Sequence, residues 1–281
     1  MMKPKVKNFL SEDVTKMKAM LRMLNLHTVC EEASCPNIGD CFGRKTATFM
    51  IMGDRCTRNC AYCDVSHDRS LPLDPSEPYN IAKAVKFLNL KHVVITSVNR
   101  DDLPDGGASH FARVIRAIRE EKSDCSIEVL IPDFLGDKEA LKIVAEAKPE
   151  VINHNIETVP SLFPVVRHRG DYQRSLQIIK WIKELDKNIT SKSGIMVGLG
   201  ETKEEIVQVM EDLVNVNCEI LTIGQYLRPS KNHYPVKKYY TEEEFNELEK
   251  IGYEIGFKQV FSGTLVRSSF HADEIFYQLK G

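Results

Sequence analysis

The chain has 281 residues, 42% of them hydrophobic and 28% charged, with a formal net charge of −2. That is ordinary globular composition, enough to bury a core without disulfide staples. The small net charge excludes a global field that would draw the chain to nucleic acid or to a membrane surface. No segment reaches the length of a membrane span.

The first ten residues, "MMKPKVKNFL", are basic but lack the apolar core of a secretory signal. Residues 11–24, "SEDVTKMKAMLRML", read as a surface helix with Ser11 as N-cap and Val14, Met17, Leu21 and Leu24 on one stripe. The chain is therefore expected to be cytosolic. From Thr46 onward, strands and helices alternate. "TATFMIMG" (46–53) predicts a strand, followed by a cysteine-bearing loop and the helix "YNIAKAVKFLNL" (79–90). "HVVITSV" (92–98) predicts the second strand, then the polar loop "NRDDLPDGG" and a helix across 110–120. "SIEVLIPD" (126–133) is the third strand and "KEALKIVAEA" its helix. "EVINHNIE" (150–157) is the fourth, with a helix over 172–185. "ITSKSGIMVG" (189–198) is the fifth, and its helix opens on a capping box, Thr202 with Glu205. "EILTIGQYL" (219–227) is the sixth, and a second box, Thr241 with Glu244, opens the last helix of the alternation.

Six strand–helix units in a row predict a parallel sheet, curled into a full or partial barrel or doubly wound. Residues 1–45 and the tail after 256 read as extensions of one domain. Parallel α/β sheets place their chemistry at the carboxyl ends of the strands. All six ends here are polar. Asn153, Asn155 and Glu157 alternate along the fourth strand and so share one face. Lys192 lies on the fifth strand, which ends in "GLGE", and Arg228 follows the sixth.

There are eight cysteines, six of them between residues 30 and 63. In a cytosolic chain such clustering points to metal rather than to disulfides. Cys56, Cys60 and Cys63 form a CxxxCxxC loop after the first strand. A structural zinc site closes its tetrahedron with four ligands. Three thiolates instead suit an iron–sulfur cube and leave one iron free to bind a small molecule. A zinc knuckle or plain buried thiols is the blander alternative. Upstream, Cys30, Cys35 and Cys41 form a second trio, C-x4-C-x5-C, unlike the close pairs of zinc ribbons. A second cube would need a fourth ligand. Cys125 and Cys218 sit in helix-to-strand connections, at the amino ends of strands, and read as ordinary buried thiols. The tail offers Ser268 and Ser269 in "VRSSFHAD".

The CxxxCxxC loop in an alternating β/α chain resembles the radical S-adenosylmethionine (SAM) enzymes. Together the two trios and the C-terminal Arg-Ser-Ser-aromatic stretch resemble the lipoyl synthase family. So do "TSVNRDDLPDGG", "NHNIETVP", "KSGIMVGLGET" and "GQYLRPS". The likeness spans about residues 28–273. One departure is Phe270, where the family has tyrosine.

The resemblance implies a partial (β/α)6 barrel of the TIM type over 46–256, with an N-terminal extension (1–45) and a C-terminal one (257–281). It implies two 4Fe-4S clusters. Cys56, Cys60 and Cys63 would hold the cluster that cleaves SAM into a 5′-deoxyadenosyl radical. Cys30, Cys35, Cys41 and one serine, Ser269 by preference, would hold an auxiliary cluster that donates sulfur. The implied reaction inserts sulfur at C6 and C8 of an octanoyl chain carried on a lipoyl domain, with one SAM spent per carbon. Asn155, Glu157, Lys192, Arg228 and Asp101 are the candidate cofactor contacts, and the "GLGET" backbone is a further one. Implied partners are an octanoylated carrier, such as the glycine cleavage H protein or a 2-oxoacid dehydrogenase E2, an electron donor such as flavodoxin or ferredoxin, and a cluster-repair carrier. A relative of biotin synthase would lack the first trio and the serine tail. A plain iron–sulfur carrier would not need six polar strand ends.

Overall fold

In the computed structural model, residues 12–44 and 48–280 are described. Ser11, expected as a helix cap, lies outside them. The described chain divides into two compact units. The first holds the residues up to Arg58 together with Asp64–Val151, and the second holds Asn59–Cys63 and everything from Ile152 onward.

In the first unit, α1 (Glu12–Met23) buries Val14, Met17 and Leu21 of the expected stripe, while Leu24 lies past its end and is half-buried. It is followed by β1 (His27–Thr28), α2 (Val29–Glu32) and α3 (Ile38–Gly43). Strands β2 (Thr48–Ile51), β3 (His92–Ser97) and β4 (Ser126–Leu130) alternate with α4 (Glu77–Phe87), α5 (Ala108–Glu121) and α6 (Lys138–Glu146). β2 pairs β3, and β3 pairs β4, in parallel. β1 pairs β2 antiparallel, so the sheet gains an edge strand that two residues of sequence do not announce. β2 is buried along its whole length, as a strand covered on both faces should be. Helix starts are fixed by side chains. Asp137 accepts from the N–H groups of Glu139 and Ala140 at the start of α6. Asp105 accepts from Gly107 and Ser109 (2.9 and 2.8 Å) at the start of α5.

In the second unit, β5 (Val151–Asn153) leads to α7 (Phe163–Val166) and α8 (Tyr172–Leu185). Then come β6 (Thr190–Val197), α9 (Lys203–Asn215), β7 (Ile220–Gln225), α10 (Glu242–Ile255), β8 (Gln259–Gly263) and α11 (Ala272–Lys280). β6, β7 and β8 are parallel neighbours. Both predicted capping boxes are present, at Thr202–Glu205 and Thr241–Glu244. One apolar cluster joins Ile179, Ile195, Val209, Leu213, Leu221 and Phe245, closing the helices over the strands.

All six expected strands are present, with two differences. The tail after residue 256 contributes β8, parallel to β7. The strand expected over 150–157 stops at Asn153. Glu157 takes a left-handed conformation (φ 70°), which ends the two-residue alternation. Its backbone still docks on β6: Glu157 N–H donates to Gly194 O, and Met196 N–H to Glu157 O, each at 2.9 Å.

Candidate active site

In the first unit, β2 delivers the chain to Cys56, which is 9% exposed. Its sulfur accepts the backbone N–H groups of Arg58 (3.4 Å) and Asn99 (3.3 Å). Two N–H donors aimed at one sulfur suit a thiolate, or a sulfur bound to iron. The loop is pinned from below by Arg58. Its guanidinium is 3% exposed and makes paired bonds to Asp101 (2.8 and 2.8 Å) and to Asp133 (2.6 and 3.1 Å). Those two carboxylates, against the cost of burial, hold the guanidinium charged more firmly than in water. The sequence offered Asp101 as a cofactor contact. Its carboxylate is instead committed to Arg58, and its N–H to Thr57 Oγ1 at 3.1 Å. Sequence reasoning passed over Arg58. The signal was an arginine inside the cysteine loop, with acids at the ends of two adjacent strands.

The first cysteine trio belongs to the same unit. Cys30 is buried at the start of α2, where Thr28 caps the helix. Its thiol is pushed well above the usual range, first by a hydrogen bond with Cys41, then by burial and by the charges of Cys35 and Cys41. Cys41 thus lies within hydrogen-bonding reach of Cys30, and the charge of Cys35 is felt there too, a set of soft donors that suits a metal centre.

In the second unit, Cys60 and Cys63 are half-buried, and Cys63 N–H donates to Cys60 O (3.0 Å). Ala61 between them is held on both sides, donating to Val166 O (3.0 Å) and accepting from Tyr234 N–H (2.8 Å). His233 Nε2 donates to Cys63 O at 3.1 Å. Arg228 is exposed and binds the carbonyls of Lys231 and His233. It therefore braces the turn that carries His233 rather than presenting its guanidinium to a cofactor.

Asn155 and Glu157 do come together. Asn155 Nδ2 donates to Glu157 Oε1 (3.2 Å) and to Ser268 Oγ (3.0 Å), while Asn155 Oδ1 is buried without a partner. Burial pushes the Glu157 carboxyl up, against Arg167, Asn155 and the Tyr62 hydroxyl, which pull it down. Burial and then Glu157 raise Tyr62 well above the ordinary phenol value. Arg167, unnoticed in the sequence, is buried and donates to Asn155 O (3.1 Å) and Ser175 Oγ (3.2 Å). Gly194 makes room for the pair, since a Cβ there would lie 2.9 Å from Asn155 Oδ1.

Three other expectations are resolved by placement. Lys192 is fully buried near the amino end of β6, so it does not reach solvent. The "GLGET" backbone is not bare. The Glu201 carboxylate accepts from Gly198, Leu199 and Gly200 (2.6, 2.9 and 3.0 Å) and from the Tyr240 hydroxyl (3.0 Å). Of the two serines, Ser268 is engaged by Asn155. The tail lies close against β7, where a Cβ on Gly224 would come 2.2 Å from Val266 O. Cys125 and Cys218 are buried just before β4 and β7, as expected.

Comparison with known proteins now bears on this geometry. The model of the radical SAM superfamily matches residues 50–213. A lipoyl synthase from Caldanaerobacter subterraneus subsp. tengcongensis is 57% identical over 94% of this chain and 93% of its own length. The chain belongs to the lipoyl synthase family. Lipoyl synthases of Aquifex aeolicus (58% identical, 92% of this chain, 94% of that one) and Neisseria meningitidis serogroup C (56%, 92% and 81%) agree. Among solved structures, SuiB of Streptococcus suis bound to S-adenosylmethionine superposes with a TM-score of 0.59, at 13% identity over 80% of this chain and 53% of that one. Methylornithine synthase gives 0.53 at 12% identity, over 90% and 84%. Those distant likenesses establish the fold, the partial α/β barrel of radical SAM proteins. Among the described residues of this family member, no helix is long and apolar enough to cross a membrane.

Proposed function

We propose that the two cysteine trios divide the work of a lipoyl synthase between two 4Fe-4S clusters. The chain is a radical SAM sulfurtransferase of that family, and its substrates are octanoyl chains borne on carrier proteins. Cys56, Cys60 and Cys63 would hold one cluster; Cys30, Cys35 and Cys41, with Ser269, would hold the other. When bound, the first cluster with SAM supplies a 5′-deoxyadenosyl radical, and the second supplies the sulfur inserted at C6 and C8.

The observation that carries this reading is the presence of the upstream trio Cys30, Cys35 and Cys41 beside the CxxxCxxC loop in a chain of the lipoyl synthase family. A radical SAM enzyme with no sulfur to donate would need only Cys56, Cys60 and Cys63. The rest of the chain binds and orients. The N–H groups of Arg58 and Asn99 stabilise negative charge on Cys56 sulfur. Arg58, held by Asp101 and Asp133, fixes the loop between Cys56 and Cys60. Asn155 and Glu157 offer an amide and a carboxylate to the hydroxyls of a nucleoside, as acidic residues do for ribose. Arg167 holds the Asn155 carbonyl, and Tyr62 hydrogen-bonds Glu157. Lys192 is not included, because it is enclosed far from the carboxyl end of β6.

Ser269 is favoured over Ser268 because Asn155 already uses Ser268. A serine oxygen binds iron less tightly than a thiolate does, which suits a cluster that must surrender its sulfur. Carriers such as the glycine cleavage H protein or a dehydrogenase E2, an electron donor such as flavodoxin or ferredoxin, and a repair carrier complete the proposal. A cytoplasmic setting belongs to the proposal, since clustered cysteines in a reducing compartment serve metal rather than disulfides.

The test is anaerobic iron and sulfide counting, with each trio replaced by alanine in turn. Each replacement should remove half of the iron and leave the other half. Only the protein lacking Cys30, Cys35 and Cys41 should still release 5′-deoxyadenosine, and it should form no lipoyl product on an octanoylated carrier. Tetrahedral zinc at either trio in active material would refute the assignment. Ser269→Cys should keep its iron and turn over more slowly; full activity there would refute the idea that a weak oxygen ligand is needed to release the sulfur.

A further inference from the structure

One group of potential ligands lies outside both trios. His27 Nδ1 and one carboxylate oxygen each from Glu32 and Asp54 all lie within 4.8 Å of one another. The three residues come from separate pieces of the first unit: His27 from β1, Glu32 from the end of α2, and Asp54 from the turn after β2. The antiparallel pairing of His27 with Met50 draws them together. His27 Nδ1 stands 3.0 Å from Glu32 Oε1.

Their environment suits an ion. The side chains are 31%, 32% and 38% exposed, open enough for an ion and its waters to enter. Two carboxylates at this range repel each other. Among the described residues, Asp54 is ion-paired with its neighbour Arg55, at 3.7 Å, too long for a hydrogen bond. Lys18 is drawn to Glu31 instead, at 3.5 Å. A protonated imidazole can serve one carboxylate, whereas a divalent ion serves both and the ring nitrogen together. The turn before Asp54 is fixed in shape: Met52 takes a positive φ (69°), its N–H is held by Glu77 at 2.9 Å, and Gly53 adopts φ 86° freely.

We propose that His27, Glu32 and Asp54 form an accessory site for a divalent transition-metal ion. Its protein ligands are His27 Nδ1 and one oxygen from each carboxylate, and water completes the shell. One imidazole with two carboxylates selects iron(II), manganese(II) or zinc. Calcium asks for six or more oxygens. On binding, the ion takes the place of the hydrogen bond between His27 and Glu32. It ties the helical turn bearing Cys30 to the turn leading to Cys56. The binding site does not depend on the cluster assignments, although that consequence does.

The test is a titration of the cluster-loaded protein with Mn²⁺ under anaerobic conditions, following the loss of the free-ion EPR signal, with Zn²⁺ as competitor. The wild type should bind one Mn²⁺ per chain, displaced by one Zn²⁺. His27→Gln and Asp54→Asn should each weaken binding by at least the roughly 10- to 100-fold that loss of a mere supporting residue costs. Their iron and sulfide content should not change. Glu31→Gln, one residue away, should titrate as wild type. If His27→Gln loses iron, Asp54→Asn on its half-exposed turn decides the matter alone. Absence of one-to-one binding overturns the proposal. So does equal binding by wild type and variants, or an equal loss in Glu31→Gln, which would mean adventitious ion held by diffuse charge.

Discussion

Replacing Arg58 with methionine removes the charge that two carboxylates were built around. Arg58 is 3% exposed and Asp133 fully buried, and four hydrogen bonds of 2.6–3.1 Å join the guanidinium to Asp101 and Asp133. Methionine fills much of the volume but leaves Asp133 charged and enclosed, with Leu135 N–H (3.1 Å) as a remaining donor. Removing one partner of a buried pair costs about 3–5 kcal/mol. A domain of 150–250 residues loses ~2–4 °C per kcal/mol, so the midpoint should fall by roughly 6–20 °C. The loop between Cys56 and Cys60 should loosen as well, and the bound iron should drop. Anaerobic calorimetry and iron counting read both effects. Adding Asp133→Asn to Arg58→Met should recover part of the loss, about 0.5–3 kcal/mol, because the stranded charge is gone. A single variant within about 0.5 kcal/mol of wild type, with full iron, would refute the reasoning.

Gly194→Ala places a Cβ 2.7 Å from Thr222 Oγ1 and 2.9 Å from Asn155 Oδ1. Asn155 must move, so equilibrium binding of SAM should weaken while iron content stays; unchanged affinity would remove Asn155 from the cofactor site. Glu201→Ala leaves three backbone N–H groups and the Tyr240 hydroxyl without their acceptor. At about 1–3 kcal/mol for each buried group so stranded, a visible drop in the thermal midpoint is expected. Gly224→Ala drives a Cβ to 2.2 Å from Val266 O and displaces the tail that carries Ser269. Such a variant should still cleave SAM but make little lipoyl product, as product analysis on an octanoylated carrier would reveal.

The alternation of strands and helices was legible because each element is long and regular. The capping boxes were legible because Thr202 with Glu205 and Thr241 with Glu244 have a fixed spacing that backbone geometry demands. The cysteine trios were legible from spacing alone. Elsewhere local pattern failed for physical reasons. β1 is two residues long, and β8 runs into serine and glycine with only Val260 fully buried, so neither carries a period. The two-residue rule put Asn155 and Glu157 on one strand face. They meet, but across a left-handed break that periodicity cannot foresee. The polar strand ends pointed to the right region but not to the pairings inside it. Asp101 belongs to Arg58, Arg228 to the 231–233 turn, and the glycines of "GLGET" to Glu201. Those pairings bring residues together from distant parts of the chain, and a pattern read along one segment does not contain them.

Cys125 and Cys218, already at the amino ends of their strands, are made poor ligands for iron by solvation as well. Enclosure in apolar surroundings pushes the Cys125 thiol up to about 11 and that of Cys218 higher still. At neutral pH a thiol of that acidity offers thiolate in roughly one molecule in ten thousand. While clusters are being assembled, these two sulfurs are poor competitors for incoming metal and slow targets for oxidants. The rise at Cys30 is of another kind, since it begins with neighbouring sulfurs that one shared metal would reconcile.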